Sequence, residues 1–291
     1  MFTEIQFGAI RRFQQKMRKS PGLVPLLSAG DSWFAFPTLL RRNIIDALCE
    51  MNKGRAAWLR LESNGHEMRQ LLSGKKYQRL QLVLSNPSLK FAGILFSGGG
   101  NDLIGGALVS LLNPCLEGMT WMQCINMVRF ERRLQEIENA YLELLDLRDD
   151  HQPQACVFTH AYDFPIPGDK PIHIGPIHLG PWMQPYMDSK GIKSVTHQRA
   201  IMTYMLKQLD ELMEKLERHH ERVVHVRTQN SLTDQDWDDE LHPTTKGFQK
   251  IATIFQAALV KTFPGLDPVE TAPDPPLTVG SANRKLPVPA S

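Results

Sequence analysis

The chain has 291 residues, 42% hydrophobic and 22% charged, and 33 basic against 31 acidic side chains leave a formal charge of +2. This is the composition of a globule with apolar material for a sizeable core, and the near balance of charge gives no electrostatic reason to expect nucleic acid or an anionic membrane as the main partner. No run approaches the roughly eighteen consecutive apolar residues that cross a bilayer, and no short apolar run precedes a small-residue cleavage site near the N-terminus, so a cytoplasmic location is expected.

In chain order, Phe2, Ile5, Ile10, Phe13 and Met17 space as one helix face opposite Arg11, Arg12, Lys16, Arg18 and Lys19. The spacing predicts an amphipathic helix docked on the domain; a membrane-surface or partner-binding helix is the alternative. Short apolar runs at 23–28 (LVPLLS), 56–61 (AAWLRL), 91–97 (FAGILFS), 155–160 (ACVFTH) and 223–228 (VVHVRT) predict strands. Between and after them, apolar residues recur at three and four over 37–51, 67–73, 120–147, 194–220 and 245–262, which predicts helices. Buried strands alternating with amphipathic helices imply an α/β fold: a three-layer α/β/α sandwich on a parallel, five-stranded, flavodoxin-like sheet. Ligands of such sheets bind beyond the carboxyl ends of the strands.

Residues 162–191 carry six prolines and several glycines after the fourth predicted strand, the composition of a binding loop or lid. From 264 to 291 prolines recur without aliphatic periodicity, so one domain over 1–263 and a disordered tail are expected. Cys49, Cys115, Cys124 and Cys156 form no C-x-x-C pair and no zinc spacing, and reduced, mainly buried thiols are expected.

The residues just beyond the strands carry the chemistry. Gly30-Asp31-Ser32-Trp33 sets a serine on a strand-to-helix turn, so Ser32 is the candidate nucleophile. Taken alone, such a serine more often caps a helix. Ser63-Asn64-Gly65-His66 and Gly98-Gly99-Gly100-Asn101-Asp102 follow the second and third strands, where backbone N–H groups and an amide side chain could form an oxyanion hole. Near the end, Asp238-Asp239-Glu240-Leu241-His242 puts an acid three residues before a histidine, a spacing that lets the carboxylate hold the imidazole.

These blocks, Gly30-Asp31-Ser32, Gly65, Gly99-Gly100-Asn101-Asp102 and Asp239-Glu240-Leu241-His242, stand in an order that resembles the SGNH hydrolases, the GDSL lipase and esterase family. The resemblance implies a serine esterase or acylhydrolase with Ser32, His242 and Asp239 as catalytic triad and with the N–H groups of Ser32 and Gly65 and the Asn101 amide as oxyanion donors. It implies no metal and no organic cofactor, and a small-molecule, lipid or carbohydrate ester as substrate. The chain departs from the family in having His66 and Glu67 after Gly65, and Trp33 after the G-D-S. The G-x-S-x-G elbow of α/β-hydrolases is absent. The alternatives are a non-catalytic lipid- or protein-binding module on a hydrolase fold, and an acyltransferase using the same triad.

Asp31, Trp33, His160, Asp163 and Trp182 are candidate substrate contacts, and Asp102 is read as a carboxylate that orients its own loop. His173 and His178 lie five apart in the proline-rich segment with no carboxylate or cysteine to complete a ligand set, so no metal site is expected.

Overall fold

The computed structural model describes residues 4–36, 42–62, 67–168, 171–174 and 177–268. Its elements in chain order are α1 (Glu4–Lys19), β1 (Val24–Gly30), α2 (Ser32–Ala35), α3 (Ile44–Met51), β2 (Ala56–Arg60), α4 (Met68–Leu71), α5 (Gly74–Leu84) and β3 (Gly93–Ser97). There follow α6 (Gly105–Leu111), α7 (Met127–His151), β4 (Cys156–His160), β5 (Ile172–Ile174), β6 (Ile177–Leu179), α8 (Gln184–Asp188), α9 (Val195–His219), β7 (Val223–Val226) and α10 (Thr245–Thr262).

All five predicted strands form, and they pair in parallel in the order β2-β1-β3-β4-β7. This is the flavodoxin-like order, covered by α3 and α10 on one face and by α5, α7 and α9 on the other. The strands read as continuous apolar runs because both faces are covered: all five residues of β3 are buried. The order reverses between β1 and β3, so the residues after these two strands flank one crevice. Gly30 pairs with Ser97 there, its φ is +138°, and a Cβ on it would lie 2.3 Å from the Ser97 carbonyl oxygen. Only glycine ends β1 at this point.

Several helices differ from expectation. The helix predicted over 37–51 begins at Ile44, because Asn43 and Asp46 cap it reciprocally: Asp46 N–H donates to Asn43 Oδ1 (2.9 Å) and Asn43 N–H to Asp46 Oδ2 (3.2 Å). Residues 37–41 lie outside the described residues. The helix predicted over 120–147 begins at Met127 and runs to His151, with Asn126 accepting from the Arg129 N–H at 3.1 Å as its cap. Within 67–73 only Met68–Leu71 is helical, and a second helix, Gly74–Leu84, buries Leu80, Val83 and Leu84.

The residues before α7 are turns, and there Cys115 and Cys124 are joined in a disulfide, contrary to the expectation of four reduced thiols. They stand nine positions apart, a spacing that matches no motif. Cys49 and Cys156 are free and half-buried.

The N-terminal helix docks as expected: Ile10 and Phe13 are buried, Phe13 packs 5.5 Å from the Phe91 ring, and Lys16 Nζ donates to the Ala56 carbonyl at 2.9 Å. Phe2 lies outside the described residues. The proline-rich segment is more ordered than a plain loop, for it holds the antiparallel pair β5–β6, with His173 opposite His178, and α8. Leu266 is buried, so the packed domain extends past 263; residues 269–291 lie outside the described residues. Among the described residues no helix is long and apolar enough to cross a membrane, and no group of three His, Cys, Asp or Glu could hold a metal ion.

Candidate active site

Ser32 opens α2 directly beyond β1 and is buried, with 7% of its surface exposed. The preceding Asp31 is the helix cap, its Oδ1 accepting from the Trp33 N–H at 3.1 Å, so the capping role falls to the aspartate and the serine hydroxyl is free for another partner. That partner is His242, whose Nε2 lies 2.9 Å from Ser32 Oγ although 210 residues separate them in sequence.

His242 sits on a tight loop closed by a bridge between Trp237 and Pro243. Its Nδ1 is 3.1 Å from Asp239 Oδ2 and 3.2 Å from Oδ1. Asp239 Oδ1 also accepts the N–H groups of Leu241 (2.7 Å) and His242 (2.8 Å), which fixes the carboxylate before the imidazole reaches it. The neighbouring acid, Asp238, meets His242 through its main-chain N–H, 3.0 Å from the His242 carbonyl. The imidazole is enclosed by Phe36 (centroids 4.4 Å) and, edge to face, by Trp182 (5.7 Å). A hydroxyl, an imidazole and a carboxylate in one hydrogen-bonded row can move a proton off the hydroxyl.

Asn101 starts the turn after β3 and, with Ser32, lines a cleft of about 350 Å³ measured out to its open mouth, whose other walls include Ile104, Met202, Leu206 and Leu241. Ser63, Asn64, Gly65 and His66 lie outside the described residues.

The chain is similar in fold to lipases and esterases of known structure. A lipase from a goat rumen metagenome matches at 15% identity and a TM-score of 0.49, over 81% of this chain and 97% of its own. An extracellular lipase from Streptomyces rimosus matches at 15% identity and a TM-score of 0.49, over 81% and 99%. A candidate SGNH hydrolase from Slackia heliotrinireducens matches at 11% identity and a TM-score of 0.45, over 80% and 97%. No protein-family model and no curated protein matches the chain. Similarity at this level says nothing of what the chain acts on.

The predicted substrate contacts separate into two sets. His160 is fully buried under the site and has both ring nitrogens engaged: the Tyr162 N–H donates to Nδ1 at 3.2 Å, so the ring proton is on Nε2, 2.9 Å from Ser97 Oγ. Burial pushes its pKa down to about 3, so the ring stays neutral. Ser97 Oγ in turn donates to Asp31 Oδ1 at 2.8 Å, and the Tyr162 hydroxyl donates to Asp31 Oδ2. Burial raises the Asp31 pKa against these donors. Tyr162 holds this position with a left-handed φ of 65°, a conformation that disfavours a side chain by about 1 kcal/mol, and Thr228 Oγ1 donates to its carbonyl at 2.9 Å. Gly100 leaves room for the ring: a Cβ there would stand 2.8 Å from it. Trp33 is buried edge-on to Tyr162, with Nε1 donating to the Leu241 carbonyl at 3.2 Å. Asp31 and Trp33 also line the cleft.

Asp163 lines the cleft too, but its carboxylate accepts the N–H groups of Phe164, Asn230, Ser231 and Leu232 at 2.7 to 2.8 Å, tying the segment after β4 to the one after β7. Trp182 stands on the imidazole. Ser97, Tyr162 and Glu240 carry roles in the site that no sequence motif marks. A polar residue closing an otherwise apolar strand was the available signal for Ser97; Glu240 gives no local signal, because its partners are more than fifty residues away.

Asp102 is structural, but not by bonding within its own loop as expected: Oδ2 accepts the Met68 N–H at 2.8 Å, which ties the turn after β3 to the start of α4. Burial pushes its pKa from 3.8 up to about 7. Between these values the folded chain keeps a proton that the unfolded chain has lost, so stability falls as pH rises through this window and stays lower above it. Asp102→Asn keeps the acceptor and removes the titration. Denaturant midpoints at pH 5 and pH 8 are expected to show the variant gaining on wild type at the higher pH; an unchanged difference would place the Asp102 pKa in the ordinary carboxylate range.

Proposed function

We propose that the chain is a serine hydrolase that cleaves carboxylic esters through an acyl-enzyme on Ser32. One observation carries this reading: the Ser32 hydroxyl, the His242 imidazole and the Asp239 carboxylate are hydrogen-bonded in series, at 2.9 and 3.1 Å, beside an apolar cleft. His242 Nε2 takes the Ser32 proton as Oγ attacks the ester carbonyl and returns it to the leaving alcohol; a water, deprotonated by the same nitrogen, then releases the acid. Asp239 keeps the proton of neutral His242 on Nδ1 and stabilises the imidazolium.

Charge on the former carbonyl oxygen is met by the Ser32 N–H and the Asn101 amide, with Gly65 N–H as a third donor in the segment outside the described residues. The aliphatic walls Ile104, Met202 and Leu206 suit the acyl group, for an apolar cleft with few polar groups is the ordinary form of such a site. Asn101→Ala is expected to lower kcat by about two to three orders of magnitude with KM little changed, read by steady-state ester hydrolysis. A loss of only a few fold would remove Asn101 from the oxyanion site.

A fluorophosphonate probe tests the nucleophile. Stoichiometric labelling located at Ser32, absent in Ser32→Ala, is expected, together with hydrolysis of at least one member of an ester panel of varied acyl length. No labelling and no hydrolysis of short or long acyl esters would favour a binding module on the same fold.

A further inference from the structure

Glu240 lies between the two triad residues of its loop, yet nothing in the proton transfer uses it. Its side chain is turned the other way, with 1% of the residue exposed. Oε1 accepts the N–H groups of Gly168 (2.9 Å) and Gln184 (2.9 Å), and Oε2 accepts those of Met183 (3.0 Å) and Trp182. The four donors come from the two described arms of a strap, 163–168 beyond β4 and 182–188 around α8. A buried carboxylate whose lone pairs are taken up by backbone N–H groups from two separated stretches holds those stretches together, since removing it leaves four desolvated donors unpaired.

The strap is part of the site. Trp182 packs edge to face on the His242 ring, and its carbonyl accepts the Gly105 N–H at 2.8 Å, which ties the strap to the turn after Asn101. Pro165, on the other arm, lines the cleft. We propose that Glu240 is a positioning residue: its carboxylate latches the two arms of the strap to the loop carrying His242, so that the placing of Trp182 and the alignment of the imidazole are coupled. The proposal rests on the serine-hydrolase reading for its effect on turnover, and on hydrogen bonding alone for the latch.

Glu240→Gln tests it at constant size. Its amide can present one oxygen to two of the donors, while its NH₂ faces the other two. Hydrogen exchange of the N–H groups of Ile166, Gly168, Trp182, Met183 and Gln184 is expected to rise roughly tenfold or more over wild type, with β1 and β3 unchanged. The kcat for ester hydrolysis is expected to fall roughly tenfold or more, with KM changing less. Because the latch acts through the strap, the losses from Glu240→Gln and Trp182→Ala should not add in a double-mutant cycle, whereas independent packing defects would.

Unchanged strap exchange, or additive losses, would overturn the latch and leave the hydrolase reading intact. A wild-type protein with neither turnover nor probe labelling would sink the hydrolase reading, and exchange would still decide the latch. Should the variant fail to fold, wild-type exchange decides: the N–H groups of Gly168, Trp182, Met183 and Gln184 are expected to open at one common rate, and rates scattered over about a hundredfold would refute a single latch.

Discussion

Ser32→Ala and His242→Ala are each expected to lower ester turnover about a millionfold, and the double variant to be little worse than either. In the proposed mechanism the two side chains act as a unit: at 2.9 Å the imidazole is placed to take the serine proton, and without it the hydroxyl would be no better a nucleophile than an ordinary alcohol. Whatever rate remains comes from oxyanion donors and cleft binding, which neither substitution touches. Initial rates on the best ester of the panel, with an active-site titration to exclude wild-type contamination, check this. Retention of rate within a few fold by Ser32→Ala would mean that the nucleophile lies elsewhere.

The second large effect separates the neighbouring acids. Asp239→Asn is expected to lower kcat about ten-thousandfold, and Asp238→Asn to leave it near wild type. In Asp239 it is Oδ1 that accepts the Leu241 and His242 N–H groups, so an asparagine would keep its oxygen there and turn its NH₂ toward His242 Nδ1, in place of an acceptor at 3.1 Å. The ring proton would then be driven to Nε2, the nitrogen facing Ser32, and the base would be lost with the geometry intact. Nitrogen chemical shifts of His242 would show the tautomer change directly. Equal losses in the two asparagine variants would mean that the imidazole is held by more than Asp239.

The strands are legible in the sequence because burial on both faces leaves an uninterrupted apolar run, as in Gly93–Ser97, and Ser32, Asn101 and His242 stand beside recognisable turns. Helix starts are less so: periodicity does not distinguish helix from the turns before it, and the caps Asn43 and Asn126 set the boundaries of α3 and α7. Gly74–Leu84 opens on Gly-Lys-Lys, a weak start that hides the spacing of Leu80, Val83 and Leu84. The Cys115–Cys124 pair is local, but its spacing of nine matches no motif that would mark it as a disulfide. The Asp31 network and the Glu240 contacts are tertiary facts: each depends on distant segments meeting once the sheet has formed, so no window of sequence contains them.

The crowding at Gly100 limits how such a molecule can be retuned. A methyl group added there would push on the Tyr162 ring, whose hydroxyl donates to Asp31 beside Ser32, so a change made beside Asn101 is transmitted to the proposed nucleophile. Met202 and Leu206, which also line the cleft, are rooted in a long helix, and among the described residues their side chains make no hydrogen bond to Ser32, His242 or Asp239. If the proposed ester hydrolysis holds, diversification of the substrate is open along α9 and closed along the glycine turn, and a library aimed at new acyl groups should be built on the helix.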